Sequence, residues 1–235
     1  MQELIVKSNV IWQNQDISYL KCVPINTKLK KKILPGMFFN ISIEGKLSPF
    51  LRRPISIAYK DNEAVYFLIK SIGEGTDAIV KASVLSLLGP LGNNFPRPNS
   101  GDLLIAGGVG IAPLHFLKRF YGAGRLIWGL REKSAQAQYP EDIINIADKV
   151  YIDANAPIYE NIDEELDRDA LHNVFVCANK ALTELVIKKA NQRNLKVYAS
   201  LESHMGCGWG ACNGCFVNIA GRSGYVCKEG PVFEF

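Results

Sequence analysis

The stretch that decides the fold is Leu103–Leu114, which reads LLIAGGVGIAPL. Its first residues predict a buried strand, its glycines a tight turn, and its last residues the start of a helix. Such a turn places backbone N–H groups at the carboxyl edge of a parallel sheet, where ligands of α/β folds bind. Gly107, Gly108 and Gly110 are therefore candidate nucleotide-binding residues. Pro113 stands where a full dinucleotide fingerprint has its third glycine, so a plain strand-to-helix turn is the alternative.

Downstream of this stretch, short apolar strands alternate with helical patterns as far as Ser200. The clearest helical pattern is Lys180–Asn191, and a strand is predicted on each side of it. Strands that alternate with helices favour a parallel sheet with crossover helices. We therefore expect an α/β, NAD-binding-like domain over residues 98–200.

Upstream of this stretch, the chain has the pattern of an all-β domain. Short runs rich in aromatic and β-branched residues are separated by turn residues such as Pro35-Gly36. This spacing favours a small antiparallel β-barrel. The expected architecture is thus two domains, a barrel over residues 1–97 and the α/β domain, followed by a cysteine-rich segment over residues 201–235.

The composition argues against several classes of protein. The 235 residues are 48% hydrophobic and 21% charged, with a formal net charge of +4, which is typical of a chain with a packed core. Lys28, Lys30, Lys31 and Lys32 form a basic run, but no aromatic residues alternate with them as a nucleic-acid surface would require. No apolar stretch is long enough to predict a membrane span, and the first residues do not resemble a signal peptide. We therefore expect a cytoplasmic protein whose cysteines are thiols or metal ligands.

Four cysteines near the C-terminus suggest a metal centre. Cys207, Cys212, Cys215 and Cys227 are separated by four, two and eleven residues, which is the plant-type [2Fe–2S] spacing, and the glycines between them let a loop curl around a cluster. A zinc site is the main alternative, but structural zinc usually takes two short pairs of cysteines. Four free thiols would leave the glycines unexplained. Two further cysteines fall in apolar strands and are interpreted as core residues, Cys22 and Cys177.

Two motifs in the barrel indicate a flavin site. Arg52–Ile57 reads RRPISI and begins a strand, where an arginine can clamp a diphosphate; a solvated arginine is the alternative. Lys70–Thr76 reads KSIGEGT and leads into a helix, whose free N–H groups and dipole favour phosphate. A simple helix cap by Thr76 is the alternative there. Both motifs on one β-rich domain favour flavin binding.

These motifs resemble those of a known superfamily. Pro35–Phe38, Arg53–Ser56, Gly73–Thr76 and Gly89–Asn93 recur in the FAD barrels of the ferredoxin–NADP reductase superfamily. With the cysteine cluster and the block Cys227–Phe233, which reads CKEGPVF, the resemblance narrows to the electron-transfer subunits of type B dihydroorotate dehydrogenases. The resemblance extends from about residue 35 to the C-terminus, and the cysteine block is its most specific part.

The resemblance implies an oxidoreductase subunit with FAD and a [2Fe–2S] cluster, and with no catalytic residue for substrate carbon chemistry. In this family a separate FMN-containing catalytic subunit oxidises dihydroorotate, a step of pyrimidine biosynthesis, and electrons then pass through the cluster and FAD to NAD. A heterotetramer with two copies of each subunit is also implied. The residues that the resemblance assigns to FAD are Arg53, Pro54, Ile55, Ser56, Leu68, Ile69, Lys70, Gly75 and Thr76.

Two departures from the family pattern concern the electron acceptor. Cys177-Ala178-Asn179 stands where the family often has Cys-Gly-Pro, and Asp153–Pro157 lacks the glycine of an acidic turn. Side chains stand here in place of glycine, and they hinder the close approach of a nicotinamide cofactor. We therefore expect the acceptor to be either NAD or a different molecule. The alternative function is a flavin and iron–sulfur reductase subunit of a hydrogenase or another oxidoreductase complex. A third possibility is a metal-bound scaffold that has lost flavin.

Four further residues carry smaller expectations. Trp209, in the cysteine loop, is predicted to face the catalytic subunit, with packing over the cluster as the alternative. His204 lies three residues before Cys207, and a surface role is favoured over one in the surroundings of the cluster. His115 and His172 are isolated in sequence, and we interpret them as structural.

Overall fold

The computed structural model describes residues 2–25, 32–153 and 157–235. In these ranges the chain forms two large sheets and one short hairpin. The basic run and the Asp153–Pro157 turn lie partly outside the described residues, at Lys28, Lys30, Lys31, Ala154, Asn155 and Ala156.

The first sheet comes from the N-terminal part of the chain. The strands that the structure describes there are β1 (Gln2–Asn14), β2 (Ile17–Pro24), β3 (Phe38–Ile43), β4 (Arg53–Ser56), β5 (Tyr59–Lys60), β6 (Val65–Lys70) and β7 (Val84–Leu91). They lie in the order β4-β3-β7-β1-β2-β6-β5 and are antiparallel throughout. Since β4 also approaches β6, the sheet curls into a half-barrel, which confirms the predicted antiparallel architecture.

Side chains of β2 and β6 alternate between two apolar cores, which explains why the half-barrel packs against the second sheet. Leu20 and Phe67 point into the core of the half-barrel, whereas Tyr19 and Leu68 point the other way and pack with residues of the second sheet. Successive side chains of a strand face opposite sides, so both faces of these strands are buried. Cys22 is fully buried in the half-barrel, which confirms its interpretation as a core residue.

The second sheet is parallel in its main part. Its parallel strands are β8 (Leu103–Gly107), β9 (Arg125–Leu130), β10 (Lys149–Ile152), β11 (Asn173–Cys177) and β12 (Lys196–Ser200). They lie in the order β10-β9-β8-β11-β12, with helices on both faces. The continuous apolar run Leu103–Ala106 is explained by burial on both faces of β8. The α/β prediction is therefore confirmed.

Helices connect the strands, and the three that the sequence predicts most clearly are confirmed. The described helices are α1 (Glu74–Lys81), α2 (Ile111–Tyr121), α3 (Lys133–Gln136), α4 (Glu141–Ile144), α5 (Ile158–Leu166) and α6 (Lys180–Asn191). A 3-10 turn, Gly108–Gly110, precedes α2. Sequence reasoning missed α5, although Ile158, Ile162 and Leu166 recur every four residues and are all buried. Within the described ranges, no helix is both long and apolar enough to cross a membrane.

The C-terminal segment is a loop, a hairpin and a returning strand. The hairpin consists of β13 (Phe216–Ile219) and β14 (Arg222–Tyr225). The last strand, β15 (Val232–Glu234), pairs antiparallel with β12 and so extends the second sheet. The cysteine loop is thus attached at both ends, because the chain leaves the second sheet at Ser200 and returns to it at Val232.

Candidate cofactor sites

The Arg53–Ser56 strand lies at an edge of the half-barrel, and its four residues are all half-buried. Across the gap lies the second half of β6, where the described pairing with β5 stops at Tyr66. The backbone of Leu68–Lys70 therefore pairs with β2 on one side and faces the gap on the other. Backbone polar groups that no strand uses are open to a ligand. This gap brings together Arg53–Ser56 and Leu68–Lys70, two of the three stretches that the resemblance assigns to FAD.

The side chains of Leu68, Ile69 and Lys70 differ in their surroundings. Leu68 and Ile69 lie in the protein core, with exposures of 4% and 1%, so their backbone groups are what a flavin could reach. Lys70 is exposed and its Nζ lies 3.3 Å from a carboxylate oxygen of Asp16. The second half of β6 thus borders the gap with two buried apolar residues and ends in an exposed lysine.

The third stretch, Gly75-Thr76, lies in the first turn of α1, and the Arg53 side chain lies over this end of the helix. A Cβ atom on Gly75 would overlap the Arg53 guanidinium, so the missing side chain at this position lets the guanidinium lie against the first helical turn. The guanidinium and the free N–H groups of the helix form a cradle that favours an anion. Glu74 and Asp77, also in the first turn, are the opposing charges. The cradle fits a diphosphate, as the FAD assignment requires.

Thr76 has a local role in this motif. Its hydroxyl accepts a hydrogen bond from the Ile72 backbone N–H and donates one to the Gly73 carbonyl oxygen, both at 3.0 Å. The geometry of the Thr76 side chain therefore matches the helix-cap alternative, and its backbone N–H is the group available to a phosphate.

A cavity of about 620 Å³ lies between the half-barrel and the glycine turn of the second sheet. Lys70, Gly108, Arg131, Ala178 and Glu202 are among the residues that line it. Because Lys70 ends β6, the cavity adjoins the gap between β4 and β6. The cavity also lies at the carboxyl edge of the parallel strands. This is the position at which α/β sheets bind nucleotides.

The three glycines of the turn have different neighbours. A Cβ on Gly110 would overlap the Cys177 carbonyl oxygen, and a Cβ on Gly107 would lie 2.8 Å from the Ala178 Cβ. These two glycines thus let the turn pack against the end of β11. Gly108 has a φ of +51° and open space beside it, and its carbonyl oxygen accepts a hydrogen bond of 2.9 Å from the Trp128 indole.

The departure at Asn179 has a structural explanation. The Asn179 side chain accepts a hydrogen bond of 2.9 Å from the Leu182 backbone N–H and so caps the N-terminus of α6. Its amide nitrogen donates to the Tyr159 hydroxyl at 3.1 Å. Cys177 is buried, which confirms its interpretation as a core residue.

The four C-terminal cysteines form two pairs. Cys207 and Cys212 are partly exposed on the loop, whereas Cys215 and Cys227 are buried, with exposures of 2% and 6%. In the buried pair the two Sγ atoms lie 3.1 Å apart, and the Cys227 backbone N–H donates to the Cys215 Sγ at 3.4 Å. Two thiolates on each side suit a binuclear cluster, in which each iron takes two protein ligands.

Backbone N–H groups surround the Cys207 sulfur of the exposed pair. The Cys207 Sγ accepts hydrogen bonds from the N–H groups of Trp209, Ala211 and Cys212 at 3.5, 3.3 and 3.4 Å. Burial raises the pKa of the Cys207 thiol, but these N–H groups outweigh it and lower the pKa to about 6. In the buried pair, desolvation and then the bond with Cys215 raise the pKa of Cys227 to about 12. The loop thus favours thiolate at its exposed end, as a metal ligand requires.

Asn93 holds the chain that follows the fourth cysteine, and sequence reasoning did not identify this role. Its amide nitrogen donates to the carbonyl oxygens of Glu229 and Val232, at 3.0 and 2.7 Å, and its amide oxygen accepts from the Val232 N–H at 2.9 Å. A Cβ on the neighbouring Gly92 would overlap Pro231. The position of Asn93 within the Gly89–Asn93 motif was the available signal.

The three histidines and Trp209 differ in their exposure. His115 is fully buried, its Nδ1 lies 2.8 Å from the Ala58 carbonyl oxygen, and burial lowers its pKa. His172 and His204 are exposed. Trp209 is 53% exposed, which leaves much of its ring free at the surface.

Comparison with known proteins identifies the same parts of the chain. The family model of the iron–sulfur cluster binding domain of dihydroorotate dehydrogenase B matches residues 202–235. A curated relative from Bacillus mycoides, named dihydroorotate dehydrogenase B (NAD(+)), electron transfer subunit, is 33% identical over 219 residues, which is 85% of this chain and 84% of the relative. A relative of the same name from Clostridium acetobutylicum is 29% identical over 226 residues, covering 89% of this chain and 87% of the relative.

Solved structures show the same fold at lower identity. The structure of an NADH-dependent reduced ferredoxin-NADP oxidoreductase matches with a TM-score of 0.77 and 23% identity, covering all of this chain and 88% of the other. A ferredoxin reductase in carbazole 1,9a-dioxygenase matches with a TM-score of 0.65 and 19% identity, covering 83% and 64%. The predicted resemblance and fold class are confirmed, and the iron–sulfur interpretation is favoured over zinc. The chain belongs to the family of electron transfer subunits of dihydroorotate dehydrogenase B.

Proposed function

We propose that this chain passes electrons between the FMN-containing catalytic subunit of dihydroorotate dehydrogenase and NAD, using FAD and a [2Fe–2S] cluster. One observation carries the proposal: a single chain combines a flavin-type cradle on the half-barrel, a nucleotide-type cavity between the half-barrel and the second sheet, and a four-cysteine loop that begins and ends at the second sheet. The cradle is Arg53 over Gly75, and the cavity adjoins Lys70. A chain with these sites has the parts needed to connect a one-electron carrier with a two-electron acceptor.

The FAD site is proposed at the gap between β4 and β6. When bound, FAD can exchange single electrons with an iron–sulfur cluster and two electrons with a nicotinamide. Arg53, Gly75 and the Thr76 N–H would hold the diphosphate. The backbone of Leu68–Lys70 would hydrogen-bond the polar groups of the ring system. The strand residues that would flank the ring are Pro54, Ile55 and Ser56.

The cluster site is proposed at Cys207, Cys212, Cys215 and Cys227. Cys207 supplies a ligand that three backbone N–H groups favour as the thiolate, Cys212 lies beside it on the loop, and the last two cysteines supply ligands fixed in the core. Hydrogen bonds to the sulfurs and solvent exposure are the means by which a protein tunes such a cluster. The exposed pair is the side from which a partner subunit could approach.

The NAD site is proposed at the cavity beside Gly107, Gly108 and Gly110. The position of this cavity at the carboxyl edge of the sheet supports the proposal, and the relatives carry NAD(+) in their names. Asn179 is compatible with this site because its side chain is occupied as a helix cap. Ala178 lines the cavity and narrows it by one methyl group relative to glycine.

The domain limits, the assembly and the location of this chain are also proposed. We propose domain limits of 1–97, 98–200 and 201–235, supported by the change from the first sheet to the second between Leu91 and Leu103. A heterotetramer with the catalytic subunit is proposed from the family pattern. A cytoplasmic location is proposed because none of the six cysteines, all of which lie within the described residues, forms a disulfide, and cysteines persist as thiols or metal ligands in reducing compartments.

The test is an anaerobic titration of the purified chain with NADH, followed by visible absorption, with dithionite as the control reductant. The proposal expects flavin bands with a cluster shoulder before titration, and rapid bleaching by NADH. Bleaching by dithionite alone would exclude NAD as the acceptor. Absence of the flavin and cluster bands from a folded preparation would overturn the proposed function as a whole.

A further inference from the structure

Asn40 is a polar residue in a strand that is otherwise apolar at this point. It is fully buried, and its neighbours Phe38, Phe39 and Ile41 are buried as well. Burying an amide in apolar surroundings is unfavourable unless the amide finds hydrogen-bond partners. The presence of asparagine here therefore calls for a partner outside the strand.

That partner is the first cysteine of the cluster loop. The Asn40 Nδ2 donates to the Cys207 carbonyl oxygen at 3.3 Å, across a separation of 167 residues in the chain. A Cβ on Gly208, whose φ is +77°, would overlap the Asn40 amide, so the loop approaches Asn40 closely because residue 208 is glycine. Among the described residues, the Asn40 Oδ1 has no hydrogen-bond partner. The amide thus has its one described side-chain bond to the loop rather than to the half-barrel.

The backbone of Asn40 lies beside β4, the strand that is proposed to flank FAD. In the sheet register Asn40 lies opposite Pro54 of β4, and Pro54 has no N–H to donate. The Arg52 guanidinium donates to the Asn40 carbonyl oxygen at 3.4 Å and to the Ser86 carbonyl oxygen at 3.1 Å. One residue therefore contacts the strand proposed for FAD and the loop proposed for the cluster.

We propose that Asn40 is a positioning residue that fixes the exposed half of the cluster loop against the FAD strand. This inference rests on the proposed function, since it assumes that both cofactors bind where their motifs lie. By holding the Cys207 peptide, Asn40 keeps the N–H groups of residues 209, 211 and 212 aimed at the Cys207 Sγ. It also fixes the separation of the two cofactors, on which the rate of electron transfer between them depends.

The test compares the Asn40→Leu variant with the wild-type holoprotein. Leucine has the same branched arrangement of side-chain heavy atoms and cannot donate a hydrogen bond. The lost bond is expected to speed iron release to a ferrous chelator about tenfold, which corresponds to about 1.4 kcal/mol. The midpoint potential of the cluster should shift and the rate of cluster-to-FAD electron transfer should fall, while FAD content stays at the wild-type level.

The matched control is Ser18→Ala, which removes another buried polar group of the same sheet whose Oγ has no described partner. Its iron release and cluster potential should equal those of the wild type. If Asn40→Leu does not fold, Asn40→Asp is used, because it keeps the shape of the side chain, removes the amide donors and should release iron faster in the same way.

The possible failures are distinguishable. Wild-type rates and potential in a folded Asn40 variant would overturn the positioning role and leave the proposed function intact. Loss of FAD and iron in parallel would also overturn it, because the residue would then support the half-barrel as a whole. A wild-type chain that binds neither cofactor would overturn the proposed function itself.

Discussion

The two halves of the cysteine segment are held by opposite means. Cys207 and Cys212 lie on a partly exposed loop, where backbone N–H groups surround the sulfur of Cys207. Cys215 and Cys227 lie in the apolar core beside the second sheet, where one N–H reaches the Cys215 sulfur. The exposed half thus stabilises negative charge by hydrogen bonds, whereas the buried half fixes position by packing.

This difference assigns the two halves separate tasks. A ligand pair at the surface can meet a partner subunit, but needs an external contact to keep its geometry, and Asn40 supplies one. A ligand pair in the core cannot meet a partner, but needs no such contact. The contrast and its surroundings can be tested in four experiments, from the expected loss of the whole cluster down to a change in partner affinity.

The largest effect is expected from serine in the buried half. In Cys215→Ser the hydroxyl must ionise in an apolar site to bind iron, which desolvation opposes, so we expect complete loss of the cluster. In Cys207→Ser three N–H groups favour the anion, so part of the cluster should remain. Iron content per chain and the visible spectrum measure this. Equal iron content in the two variants would contradict the division into two halves.

The second largest effect is expected at the FAD cradle. The cluster is not affected by this change, so its content serves as an internal reference. In Gly75→Ala the new methyl group displaces the Arg53 guanidinium, and loss of a charge-assisted hydrogen bond of about 1.5–3 kcal/mol should weaken FAD binding about ten- to a hundredfold. Gly73→Ala is the matched control, since a Cβ there meets no atom within 4 Å. Fluorescence titration with FAD gives the affinity. The cradle assignment fails if both variants bind FAD equally well.

A smaller effect is expected at Asn93, which anchors the chain after Cys227. Asn93→Ala removes three hydrogen bonds and should lower the free energy of unfolding by about 2–3 kcal/mol. Asn94→Ala removes a single bond, to the Phe95 carbonyl oxygen, and should cost less than half as much. Denaturant unfolding of the two variants checks this, and indistinguishable midpoints would exclude the anchoring role.

The smallest effect is expected at the surface of the exposed half. Trp209→Ala should leave FAD content and iron content unchanged and weaken association with the catalytic subunit about tenfold, as is typical of an exposed aromatic anchor. Phe216→Ala is the control, because Phe216 is 55% exposed but lies on the hairpin. Dissociation constants from titration calorimetry decide the matter. Equal losses at both positions would show that the exposed half is not the specific contact.

Much of the fold and part of the sites could be predicted from the sequence, because the decisive signals there are local. The spacing of the four cysteines defines a ligand set. The run LLIAGGVGIAPL defines a strand, a turn and a helix within twelve neighbouring residues, and Lys180–Asn191 has helical periodicity of its own. These features depend on residues close together in the chain, so composition and spacing suffice.

Other features could not be predicted because they depend on residues far apart in the chain. The pairing of the cysteines into an exposed and a buried half is set by the surroundings of the loop. The space that Gly75 leaves for Arg53, the bond from Asn40 to Cys207 and the anchoring by Asn93 all join distant segments. The spacing of residues along a chain carries no record of such contacts. They arise when residues of the two sheets pack together and the loop contacts both sheets, and tertiary packing alone sets their distances.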